Sequence, residues 1–163
     1  MKINSERINI LERVKCSLMD MLIQAKSSMS EAQIEANYHI GAMQSRYDTF
    51  KEEAQYLVAG QQIRIIKIEN KIYQCDLIIK KLSRVNFKFT SIEIGSFFGV
   101  QNYKSKETRY FLITPEGNGE FEVINNKLAL CVSIEAPIIK EYIGLSEGDG
   151  PEYKDDEFIE ILL

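Results

Sequence analysis

The sequence predicts an α+β chain: an N-terminal antiparallel helical hairpin of coiled-coil kind over residues 1–84, then a small β-sheet domain with one short helix over residues 85–163. Three observations carry that expectation. Apolar residues recur at alternating spacings of three and four in two stretches of similar length. Gly and Pro are absent from Met1 through Ile40. At Ser83 the apolar period changes to two, and turn residues begin to punctuate the chain.

The first helix is expected from about Ile8 to Ala36, with a seam of Leu11, Val14, Leu18, Met21, Ala25, Ser28 and Ala32. Toward its distal end Ala and Ser replace Leu. Small residues let helices approach closely but bury less area, so the distal half is expected to be the less stable part. The second helix is expected from about Tyr47 to Leu82, with Phe50, Ala54, Leu57, Gln61, Ile65, Ile68, Ile72, Cys75, Ile79 and Leu82 as its seam. The step of four from Gln61 to Ile65 predicts a local stutter, and Gly60 weakens the helix by about 1 kcal/mol relative to Ala. The tip lies at about residues 37–47. There Gly41 suits a left-handed turn, and Ser45 suits the cap of the second helix, with Asp48 three residues on.

Beyond Ser83, Asn86–Thr90 and Ser91–Val100 look strand-like, as does Thr108–Thr114. Pro115–Gly119 is a turn cluster, and Lys127–Ala136 is a third apolar run. Pro137–Gly144 fits a short helix with Pro in its first turn and Gly at its end. Glu157–Leu162 closes as a strand. Phe97, Phe98, Phe111 and Tyr142 are expected in the core.

Charge and cysteine content narrow the function classes. Residues 1–82 carry 12 basic against 10 acidic side chains, and residues 83–163 carry 8 against 14. No basic block suited to neutralising many phosphates is present, so autonomous DNA binding is not expected. The acidic half suits a basic protein surface. The start of the chain lacks an apolar signal core, and no stretch approaches membrane-spanning length. Cys16, Cys75 and Cys131 match neither a disulfide framework nor a zinc pattern, and all three are expected to be reduced core thiols. A cytoplasmic, membrane-free location follows as an expectation.

The order of features resembles the Gre family of bacterial transcription elongation factors. The resemblance rests on Ile94-Gly95-Ser96, on Tyr110–Pro115, and on Val132 through Gly144 followed by Glu147-Gly148-Asp149. It covers most of residues 90–163, departing after Asp149, and extends to the hairpin through its length, position and tip glycine. The resemblance implies a C-terminal domain like that of FK506-binding proteins. It also implies binding to bacterial RNA polymerase, with the hairpin in the secondary channel. In the family, acidic tip residues help hold an Mg²⁺ of the polymerase active site, because that ion takes hard oxygen ligands.

Aligned on the tip glycine, Ala42 and Ser45 stand where the family has Asp and Glu, and Arg46 adds a positive charge. Standard stimulation of transcript cleavage is therefore not implied. Asp48 and Glu52, one turn apart on one helix face, are the nearest acids and the candidates for holding that Mg²⁺. The competing reading makes Asp48 a helix-dipole partner and Glu52 a solvated charge. His39, Gly41, Met43, Arg46 and Tyr47 are the candidate contacts to polymerase or RNA. The chain is expected to have no catalytic residues, no enzymatic activity and no cofactor of its own, and to be a monomer. The competing functions are a protein-interaction or prolyl-isomerase-like module, and a coiled-coil oligomer without a polymerase role.

Overall fold

A computed structural model describes residues 2–38, 47–85 and 87–163, without the side chains at 2, 35, 36, 38 and 47–51. The expected α+β class is observed. Helices α1 (Lys2–Tyr38) and α2 (Tyr47–Leu82) precede strands β1 (Phe97–Asn102), β2 (Thr108–Thr114), β3 (Phe121–Ile124), β4 (Lys127–Ser133) and β5 (Glu157–Leu162). The chain forms two compact units, one of Met1–Lys15 with Gln74–Leu163 and the other of Cys16–Tyr73.

The unit of Cys16–Tyr73 is a pair of antiparallel helix segments. Leu18, Ala25 and Ala32 of α1 are buried with Ile65 and Ile68 of α2, and Lys26 pairs with Glu69 at 3.0 Å. Two seam expectations need correction. Leu57 is 52% exposed and Val58 is half-buried in its stead. With Val58 in place, Ala54, Val58, Gln61, Ile65, Ile68 and Ile72 alternate four and three, so α2 has no stutter over those residues. Ser28 is exposed, whereas Leu22 and Met29 are half-buried. In α1 the expected seam residue Met21 is half-buried, as is its neighbour Leu22. An apolar neighbour one position along captured the seam in each case, because a helix drifts against a strict heptad unless it supercoils.

The other unit joins the base of the hairpin to a five-stranded sheet of order β3-β4-β2-β1-β5. Phe98 pairs with Phe111 and Gly99 with Tyr110 in the antiparallel β1–β2 ladder, and β2 runs parallel to β4 with Phe111 beside Leu130. The parallel pair is possible because β3 occupies the connection and turns back onto β4. That turn is Asn125-Asn126, with φ of 51° and 60°, the two-residue geometry that matches strand twist. The register of β1 with β5 shifts at Gly99/Val100, leaving Glu160 as a bulge residue. Phe97 and Phe98 are fully buried, Phe111 is 2% and Tyr142 1% exposed, which places the four expected aromatics in the core.

Two further expectations are corrected in this unit, and one, at Cys16, in the other. The described residues of 86–96 form no strand. Ile92 exchanges backbone hydrogen bonds with Gly144 and Leu145 instead, and Gly95 at φ 95° interrupts the extended run before β1. Strand β3 has no counterpart in the sequence expectation. Pro137–Gly144 forms a 3-10 turn at Pro137–Ile139 followed by turns rather than a regular helix, although Gly144 does end it at φ 85°. Cys75 and Cys131 are buried as expected, but Cys16 is exposed, since it lies beside the seam and not on it. Among the described residues no helix is long and apolar enough to cross a membrane.

Candidate functional site

The hairpin tip is the site that the sequence singles out. His39, Gly41, Ala42, Met43, Ser45 and Arg46 lie outside the described residues, as do the side chains of Tyr47 and Asp48. Helix α2 begins at Tyr47, which puts Asp48 in its first turn, where the helix dipole favours a negative charge. Glu52 follows one turn later, about 6 Å along the axis, and its side chain is exposed, as is that of Glu53. Among the described residues no group of three or more His, Cys, Asp or Glu could hold a metal ion.

Two polar constellations in the sheet-bearing unit escaped the sequence reading. The first surrounds Arg7, which is 1% exposed. Its guanidinium donates to the carbonyl oxygens of Gly95 at 3.3 Å and Leu163 at 2.5 Å, and to Asn4 Oδ1 at 2.5 Å. Its carbon lies 5.6 Å from the Phe89 ring centre. Burial pulls its pKa down to about 10, so the charge is held at a desolvation cost and shared among oxygens and a ring face. A cavity of about 490 Å³ is lined by Arg7, Ile8, Leu82, Arg84, Phe87 and Lys88 among others. Extending the α1 seam one step before Leu11 reaches Arg7, and that is the signal that could have revealed its burial.

The second constellation surrounds Tyr142. Its hydroxyl donates to Glu157 Oε2, accepts from Lys154 Nζ at 3.3 Å, and sits under that ammonium, 5.1 Å from the ring centre. Glu157 also pairs with Arg109 at 2.6 Å, and Lys154 with Glu141 at 3.1 Å. Burial, and then the hydrogen bond to Glu157, push the Tyr142 phenol above its ordinary value. The network therefore keeps its proton and acts as a strut between the 137–144 turn and β5. Phe111 and Tyr142 each pack against Phe98, with ring centres 5.3 and 6.1 Å from it.

The exposed apolar side chains of the sheet gather on its β3–β4 edge. Val123 stands opposite Leu128, and Phe121, Val123 and Leu128 are 61%, 61% and 57% exposed. No family model matches the chain, and no curated protein matches it. Among solved structures, the chain is similar to GreA factor homolog 1 (Gfh1) of Thermus thermophilus, with 19% identity, 91% of this chain and 94% of that chain covered, and a TM-score of 0.34. Gfh1 of Thermus aquaticus gives 18% identity, 90% and 91% coverage and a TM-score of 0.34. Another structure, of the transcription factor Gfh1, gives 19% identity, 91% and 92% coverage and a TM-score of 0.32.

Proposed function

We propose that the chain is a transcription regulator that binds bacterial RNA polymerase and places its helical hairpin in the secondary channel. The observation that carries this reading is the pairing of two helices of 37 and 36 residues into a hairpin, in one chain with a five-stranded α+β unit. That architecture accompanies the resemblance carried by Gly95-Ser96 and by the Pro137–Gly144 passage. A helix of this length extends about 55 Å at 1.5 Å per residue. The protein acts in the cytoplasm and contributes no catalytic residue of its own.

At the tip, Ala42 and Ser45 supply no carboxylate, so the factor modulates pausing or initiation without the standard stimulation of transcript cleavage. Any hold on the polymerase Mg²⁺ runs through Asp48 and Glu52. His39, Gly41, Met43, Arg46 and Tyr47 are the contacts to polymerase or RNA. The test is co-retention of the chain with RNA polymerase, together with an RNA-cleavage assay on stalled elongation complexes. The expected result is binding that a standard cleavage factor competes away, with no gain in cleavage. Absence of binding at about 10 μM, weaker than typical specific partners, would sink the reading. Cleavage that Asp48→Ala abolishes would instead make Asp48 a metal holder.

A further inference from the structure

The seam that pairs α2 with α1 uses one side of α2, and the opposite side of the same helix carries a second row, apolar at all its positions but Asn70. Between residues 56 and 73 that row is Tyr56, Ala59, Ile63, Ile66, Asn70 and Tyr73. Tyr56 is 78% exposed, Ile63 57%, Ile66 56% and Tyr73 62%. Each member stands two residues before a seam position, roughly 200° around the helix. The spacings alternate three and four without a break. The outer face of a solvated hairpin ordinarily carries charge, and an irregular protein wall imposes no heptad period. A heptad row of Ile and Tyr is the match for another helix.

We infer that, in the chain not engaged with polymerase, this face of α2 is covered by the same face of a second copy of the chain, packed antiparallel about a two-fold axis. Antiparallel heptads put the two kinds of row position opposite each other, with the axis between Arg64 and Ile65. Tyr56 then meets Tyr73 of the second copy, Ala59 meets Asn70, and Ile63 meets Ile66, each contact occurring twice. On the flanks Lys67 meets Gly60 and Glu69 meets Gln62, so no like charges face each other. Sliding one way by a heptad sets Lys67 on Lys67 and Glu69 on Glu69, which is repulsive. Sliding the other way sets Asn70 against Glu52 and carries Tyr73 past the end of the row. A parallel pairing stacks Ala59 on Ala59 between bulky layers and leaves a void. With the flanking stems, the face offers roughly 600 Å² per copy, the lower end of specific interfaces.

Sedimentation equilibrium of the full chain over a rising concentration series tests the inference. The expected result is a reversible dimer. Ile66→Glu weakens it at least about tenfold, while Ile23→Glu on the exposed surface of α1 leaves it unchanged; both variants keep the helical circular-dichroism signal of the parent. Mixing an Ile63→Lys chain with an Ile66→Glu chain restores association, because the introduced ammonium and carboxylate meet only in the stated register. A chain that stays monomeric at about 100 μM, a dimer indifferent to Ile66→Glu, or a mixture that does not recover would each overturn it. A monomer whose retention on RNA polymerase is lost in Ile66→Glu gives the face to polymerase and overturns the second copy as its occupant.

Discussion

Gly60 lies on the exposed surface of α2, and a methyl group added there would meet no atom within 4 Å. Gly60→Ala lowers the backbone entropy of the unfolded chain, so it stabilises the helix by about 1 kcal/mol. Gly95 is the opposite case. Its φ is 95°, and an added Cβ would lie 2.4 Å from Ile78 Cγ2 and 3.2 Å from the Phe89 ring. Gly95→Ala is expected to cost about 2 kcal/mol or more, through strain and overpacking together. Urea melts of the two variants should move in opposite directions; a loss of stability in Gly60→Ala would contradict the first argument, and a gain in Gly95→Ala the second.

The three thiols separate in the same way, by position. Cys16 is exposed. Burial pushes Cys75 from the ordinary value of 9.0 up to about 11, with Asp76 adding to the effect, and Cys131 up to about 12, with Glu122 adding. A disulfide reagent at pH 8 should label Cys16 quickly and the other two only on unfolding. Both folded values lie above the unfolded one, so the stabilisation is complete below about pH 9 and is lost as the pH rises from there through 11 and 12. The urea midpoint of the parent should fall over that window more steeply than that of a Cys131→Ala variant, in which one of the two thiols is gone.

At the scale of elements, periodicity makes the helices legible and local conformation hides much of the rest. The heptads of α2 bound it from Tyr47 to Leu82, and the helix is observed with those bounds. Strands β2 and β5 likewise stand where alternation puts them. The segment before β1 alternates just as well, yet Gly95 and the hydrogen bonds of Ile92 to the 144–145 turn keep it out of the sheet. Alternation reports a half-buried extended segment, not a paired one. Strand β3 escapes the sequence because its outer residues Phe121 and Val123 are exposed and because Asn-Asn is a weaker turn signal than Asn-Gly. The tip is bounded by the ends of the two seams and by Gly41 and Ser45, but the roles of its residues come from the resemblance, since a short turn between helices has no period to read. Arg7 escapes because a charged residue seldom occupies a seam position.

Arg7 also makes an element-scale prediction. Its guanidinium fastens the first turns of α1 to the oxygens of Gly95 and Leu163. Arg7→Leu leaves those acceptors and Asn4 Oδ1 without their donor, at a cost of about 3 kcal/mol. Arg7→Lys retains the charge but not the planar fork, and should recover only part of the loss. Thermal melts that rank the parent above Arg7→Lys, and Arg7→Lys above Arg7→Leu, would support this role. Equal loss in both variants would point to shape rather than hydrogen bonding.

For the whole molecule, the two compact units differ in what holds them. In the Cys16–Tyr73 unit the buried side chains include Ala25 and Ala32 along with Leu18, Ile65 and Ile68, and a buried Gln61 oxygen has no partner among the described residues. Alanine contributes little buried area, and an unpaired amide oxygen costs about 1–3 kcal/mol. The sheet-bearing unit buries Phe98, Phe111, Ile113, Tyr142 and Ile159 in one cluster and adds the Arg7 and Tyr142 networks. Native-state hydrogen exchange should therefore show two levels of protection. Amides of Leu18–Ala32 and Ala54–Ile68 should exchange through a low-energy opening, and those of Phe98–Val100 and Phe111–Ile113 only near global unfolding. Gln61→Leu removes the unpaired oxygen and fills its seam position, so it should raise the lower level and leave the upper one unchanged. Uniform protection across both units, or a Gln61→Leu effect that appears in the strands, would mean that the molecule opens as a single body and that the hairpin is no easier to open than the sheet.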